Sequence, residues 1–227
     1  MVPQAGLPAA KAVPPGVLLL HADDHLLVFD KPAGLLAVPG RGPDNQDCLS
    51  ARAQVLFPDA LVVHRLDMAT SGLIVMARGI EAQRRLSLAF EQRRVHKRYV
   101  AVVEGTPRPV DEEDGWATID LPLIVDWLAR PRSKVDHDIG KPSVTHWRVA
   151  AEPAPLPGTT RLDLEPVTGR SHQLRVHLQA IGHPIVGDPL YAPPTQATDR
   201  LLLHARDLRI PHPVSGEVMA FTAPCPF

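Results

Sequence analysis

The segment His64-Arg65-Leu66-Asp67-Met68-Ala69-Thr70-Ser71-Gly72 sets one carboxylate, Asp67, two residues after an arginine and just ahead of a small polar stretch. The apolar run Leu73-Ile74-Val75-Met76-Ala77 follows directly. That order suits a loop presenting an acid at a sheet edge while a buried strand holds the loop still. A carboxylate so placed can attack carbon or remove a proton. By itself the pattern is weak, because surface ion pairs and turn-capping aspartates are common.

Other chemistries find less support. His172 and His177 are five residues apart, about 140° around a helix, so they do not share the face that an i, i+4 metal pair would. They read as hydrogen-bonding histidines, and no metal or cofactor is expected. Cys48 and Cys225 form no CxxC pair, which leaves neither a zinc ribbon nor a disulfide framework. Two plain thiols fit a reducing cytoplasm.

The elements that must position these residues follow from periodicity. Val17–Leu20 and Leu26–Phe29 read as short strands, Cys48–Leu56 as a helix, and Leu73–Ala77 as a buried strand. Ile80–Arg94 reads as the best helix, with Ala82, Leu86, Ala89 and Phe90 on one face. Tyr99–Val103, Leu121–Val125, Thr145–Val149 and Arg161–Leu164 are further strands. Asp111–Asp114 marks a surface loop. Thr168-Gly169-Arg170-Ser171 opens a helix that Gly182 ends. Leu201–His204, Asp207–Ile210 and Val218–Phe221 close the chain as strands. Helices and strands mix without a βαβ repeat, which predicts an α+β fold on a mixed, mostly antiparallel sheet flanked by helices.

The chain has 227 residues, 44% of them hydrophobic, enough for a sizeable core. Residues 1–16 read as a flexible tail and 17–227 as one domain, with no separate N-terminal RNA-binding module, no signal peptide and no membrane span. Lys+Arg total 24 against 25 Asp+Glu, a net charge of −1. This disfavours an indiscriminate polyanion binder, yet a local basic face remains compatible with RNA. Arg93-Arg94-Val95-His96-Lys97-Arg98 and Arg130-Pro131-Arg132-Ser133-Lys134 are candidate phosphate contacts, or else solvated faces.

Taken whole, HRLDMATSG closely resembles the catalytic motif of RluA-type pseudouridine synthases. Lys97-Arg98-Tyr99-Val100-Ala101 resembles the family's K-x-Y-x-A segment. Gly169-Arg170-Ser171-His172-Gln173-Leu174-Arg175-Val176-His177 resembles its G-R-[ST]-H-Q-[IL]-R-V-H segment, and Leu201-Leu202-Leu203-His204-Ala205 its L-x-L-H-A strand. Asp30-Lys31-Pro32-Ala33-Gly34, Gly182–Asp188 and Tyr191 also fit, in the family's order from about Leu18 onward.

The resemblance implies a cofactor-free isomerase that converts uridine to pseudouridine in structured RNA, within a fold that has a central active-site cleft. It implies Asp67 as the catalytic acid, Tyr99 in the active site, and Arg175 pairing with the aspartate and favouring its ionised form. It further implies substrate contacts from Arg65, His64, Arg170 and Leu203, with Arg65 holding or replacing a flipped nucleotide and Leu203 packing on the uracil. The loop Val38-Pro39-Gly40-Arg41 and the variant MATSG point to the dual-substrate branch, acting on a 23S rRNA hairpin loop and the tRNA anticodon stem-loop. A monomer is expected. A synthase with a single RNA target, an inactive RNA-binding relative and a glycosidase are the alternatives. Intact Asp67, Tyr99 and Arg175 speak against the second, and the lack of a clear second carboxylate against the third.

Overall fold

The computed structural model describes residues 16–108, 115–194 and 198–227. Most of the expected tail and the Asp111–Asp114 loop lie outside these residues. The chain divides into two compact units, one running to Arg94 and adding Ile210–Met219, the other comprising Val95–Arg209 and Ala220–Phe227.

The first unit is built from β1 (Leu18–Ala22), β2 (Leu26–Lys31), a short 3-10 turn at Pro43–Asn45, α1 (Leu49–Leu56), β3 (Ala60–Val62), β4 (Ser71–Arg78) and α2 (Ile80–Glu91). β2 pairs antiparallel with both β1 and β4, and β3 pairs antiparallel with β4. β4 is buried from Ser71 through Ala77, as its unbroken apolar run requires. The β2–β4 register sets Lys31 opposite Gly72. The end of β2 therefore lies beside the start of the strand that leaves the Asp67 loop. α2 packs on β4 through Ala82, Leu86 and Ala89.

The second unit contains β5 (His96–Glu104), β6 (Ala117–Asp120), β7 (Leu123–Val125), β8 (Ser133–Val135), β9 (Val144–Val149), β10 (Thr159–Pro166) and α3 (Gln173–Ala180). β11 (Leu203–Pro211) and β12 (Val218–Thr222) pair with each other and carry the chain into the first unit and back. The sheet order β11-β5-β10-β9-β6 is antiparallel throughout. β7 and β8 form a separate hairpin. Its foot joins Val176 of α3 and Tyr191 in a buried cluster around Leu123.

The expected α+β class is correct, and several boundaries move. The helix expected over Ile80–Arg94 stops at Glu91, where Arg93 adopts the left-handed conformation (φ 57°) and Arg94 N–H donates to Ala89 O at 2.9 Å. That is a Schellman closure made by an exposed arginine in place of glycine. The two strands expected in 201–210 form one, β11, which continues through a register shift between Ala205 and Asp207. The stretch 168–171 precedes α3 as a turn, and the helix starts at Gln173. β6 and β8 are additional short strands. Pro122 separates β6 from β7, because proline cannot donate to a ladder.

Candidate active site

Asp67 lies in the link between β3 and β4, half-buried, with exposed Arg65 and Met68 on either side and buried Leu66 between. Its own carbonyl accepts Thr70 N–H at 3.1 Å, closing a turn. The next carbonyl, Met68 O, accepts Gly34 N–H at 2.8 Å and Lys31 Nζ at 3.2 Å. Gly34 has φ +86°, a conformation open to glycine at little cost. Lys31 is fully buried and also donates to Pro32 O and Leu35 O, at 2.9 and 2.8 Å. A buried ammonium surrounded by carbonyls is stable only while those partners stay in place. It therefore fixes the backbone immediately after Asp67. Thr70 and Ser71, both buried, lock the other end of the loop into β4.

His64, which the resemblance implies as a substrate contact, also braces the first unit. Val75 N–H donates to His64 Nε2 at 3.0 Å, and the ring stacks on Phe90 of α2 at 4.5 Å. Its helix-facing side and one ring nitrogen are thus engaged within the first unit. Arg65 is exposed.

In the second unit, Tyr99 and Leu203 share a sheet face. The register sets Leu203 opposite Ala101 and Ala205 opposite Tyr99, so all four side chains project to the same side. Tyr99 is half-buried and Leu203 is buried. Lys97 follows the same alternation on β5, and burial pulls its ammonium down to about 8. Of the expected basic cluster, Arg93, Arg94 and His96 are exposed. Arg98 is committed to an ion pair with Glu165 and lies over the Trp116 ring.

Arg175 lies on α3 and is buried. It is 3% exposed, and its Nε and Nη2 donate to the two carboxylate oxygens of Asp188, each at 2.7 Å. Asp188 Oδ1 also accepts Leu190 N–H (2.9 Å) and Tyr191 N–H (3.2 Å). The Arg175 guanidinium lies 5.1 Å from the Tyr191 ring centroid. A forked pair of this kind fixes both position and orientation. The turn before Asp188 needs Gly187, since a Cβ there would come within 2.0 Å of Arg200 O. Arg170 is exposed, with its backbone N–H tied to Gln173 Oε1 at 3.0 Å.

The start of α3 is held by buried polar groups. Gln173 accepts Thr168 Oγ1 (2.7 Å) and donates to Val144 O and Thr145 Oγ1. His177 bonds Thr145 Oγ1 (2.9 Å) and Leu121 O (3.0 Å), and burial lowers its pKa. His172 bonds the Tyr191 hydroxyl at 2.8 Å. Both histidines are hydrogen-bonding groups, as expected. Among the described residues no three His, Cys, Asp or Glu side chains cluster as metal ligands. No helix among them is long and apolar enough to cross a membrane.

A family model described as RNA pseudouridylate synthase matches residues 25–180. The chain belongs to this family and isomerises uridine to pseudouridine in RNA. It is 48% identical over 215 residues to the dual-specificity RNA pseudouridine synthase RluA of Escherichia coli (strain K12), covering 94% of this chain and 95% of that protein. It is 48% identical over 217 residues to the protein of the same name from Vibrio vulnificus (strain CMCP6), covering 94% and 85%. Among solved structures, human RNA pseudouridylate synthase domain containing 1 superposes with a TM-score of 0.75 at 28% identity, covering 97% of this chain and 87% of that one.

The sequence alone gave Lys31 and Asp188 no role, although both stand in matched segments. A signal was present in each. Lys31 ends the apolar strand segment Leu26–Phe29 immediately before Pro-Ala-Gly, and Asp188 follows a glycine after an apolar pair.

Proposed function

We propose that Asp67 is the catalytic carboxylate, acting with Tyr99 and Arg175 on one uridine flipped out of its stack. The N1–C1′ bond breaks, the uracil anion turns, and C5 bonds to C1′. C5 then loses its proton and N1 gains one, so the product is an isomer. The leaving uracil is delocalised, so one carboxylate suffices where a retaining glycosidase uses two. Ionised Asp67 either attacks C1′ or removes the 2′ proton. Tyr99 offers a ring face to the base and a hydroxyl for the C5 proton, directly or through water. Leu203 packs on the freed base and excludes water. Arg65 holds the flipped nucleotide or fills the gap it leaves, and exposed Arg170 contacts the RNA. The observation that carries this reading is the half-buried Asp67 on a loop whose next carbonyl is gripped by a fully buried lysine.

We further propose that residues 17–227 act as one catalytic domain, as a cytoplasmic monomer without metal or cofactor. Its substrates are a 23S rRNA hairpin loop and the tRNA anticodon stem-loop. Identity of 48% to synthases named dual-specificity supports the pair of substrates. The test is tritium release from each RNA labelled at C5 of uridine, with no metal or nucleotide added. Release from both is expected. Release from one alone would establish the single-target alternative.

A further inference from the structure

The β7–β8 hairpin ends in a tip that the reaction does not use. Asp126 Oδ1 accepts Leu128 N–H (3.2 Å) and Ala129 N–H (3.3 Å). Asp126 N–H donates to Arg132 O at 2.9 Å, and Arg132 N–H to Ala129 O at 3.0 Å. The turn is thus built from its own backbone, and the Asp126 carboxylate faces inward. It pushes Trp127 and Leu128 into solvent, 68% and 101% exposed. The Arg130 guanidinium carbon lies 3.1 Å from the Trp127 ring centroid and covers one indole face. Arg132 and Lys134 are exposed on the same hairpin.

We propose that this tip is a base-stacking site, in which the free face of Trp127, backed by Arg130, takes an unpaired base of the RNA. The inference rests on the RNA reading above. An exposed indole and leucine on a rigid turn form the kind of apolar surface that marks an interaction site. Arg130 and Arg132 beside them favour a polyanion with planar bases over an apolar or basic partner, while Lys134 is paired with Asp136 at 3.3 Å. Arginine beneath an aromatic ring, with further basic groups along the strand, is how single-stranded nucleic acid is gripped without sequence readout. The tip is also tied to the candidate site within its unit. Ser133 N–H donates to the Tyr191 hydroxyl at 2.6 Å, and the Tyr191 ring carries both Arg132, at 5.3 Å, and Arg175. A base captured at Trp127 therefore bears on the scaffold that orients Arg175.

The experiment is equilibrium binding of wild type, Trp127→Ala and Trp127→Phe to an anticodon-type stem-loop and to a fully paired RNA duplex of equal length. Loss of one stacked base predicts about ten-fold weaker stem-loop binding for Trp127→Ala, with Trp127→Phe within about three-fold of wild type because a ring face remains. Duplex affinity is unchanged in both variants, and the salt dependence of Trp127→Ala matches wild type because no charge is lost. Stem-loop affinity of Trp127→Ala equal to wild type, or equal losses on stem-loop and duplex, overturns the inference. Wild-type tritium release alongside either result leaves the proposed function standing. Absence of both binding and release in wild type removes the function and this site together.

Discussion

At the residue scale, Lys97 is expected to tie binding to pH. It lies on the Tyr99 side of β5, and burial lowers its pKa from 10.5 to about 8. A phosphate bound beside it would favour the charged form, so RNA binding would take up a proton around that pH. Affinity is expected to fall as pH rises through about 8, and Lys97→Arg is expected to flatten that fall because arginine keeps its charge. Binding isotherms across pH 7 to 9, taken in about half-unit steps, test this. An identical slope in the variant would remove Lys97 from the effect.

Among elements, the Asp67 loop depends on a buried lysine that holds the backbone next to the proposed catalytic carboxylate. Lys31→Met keeps the volume roughly but leaves the carbonyls of Pro32, Leu35 and Met68 without this donor. The expected cost is about 1–3 kcal/mol of stability. Turnover is expected to fall by at least about ten-fold while KM changes little, since a loop displaced by a fraction of an ångström mispositions the acid but not the rest of the RNA. Thermal melts and steady-state tritium release separate the two effects. Unchanged turnover in a destabilised variant would reduce Lys31 to a structural role.

The elements themselves were unevenly legible. β4 and α2 declared themselves because one is a continuous apolar run and the other has a clean 3.6-residue stripe. β6 and β8 did not, being three or four residues long and held by their sheet partners rather than by their own pattern. The motif strings named Asp67, Tyr99 and Arg175. They did not reveal what fixes them, because Lys31 reaches Met68 across 37 positions and Arg175 meets Asp188 across 13. Such pairings depend on register and turn geometry, which local periodicity does not encode. His64 belongs to the same group: the string names it, and only the structure shows that its side chain bonds β4 and stacks on α2.

For the whole molecule, a net charge of −1 leaves RNA binding to local groups of exposed cations, such as the proposed Arg130 and Arg132. Stability has its own pH dependence. Burial lowers the pKa of His177 from 6.5, against the opposing bond to Leu121. Below pH 6.5 the unfolded chain protonates this group first, so stability falls on acidification. Burial pushes Asp23 up, but His21 and the amides of His25 and Leu26 outweigh it and hold the carboxyl below 3.8. Its contribution is complete above 3.8 and is lost as pH falls through the lower folded value. Denaturant melts are expected to show a first decline beginning below pH 6.5, reduced in His177→Gln, and a second one in the range of Asp23. A variant with the wild-type decline below pH 6.5 would exclude His177 as its source.

The central claim is that Asp67 performs the chemistry. Single-turnover tritium release from C5-labelled RNA, run beside equilibrium binding, tests it with Asp67→Asn, a nearly isosteric change that removes the charge. No detectable release, with affinity within about three-fold of wild type, is predicted for a carboxylate that acts on the bond and not on binding. Release at a near-normal rate by Asp67→Asn would contradict the account.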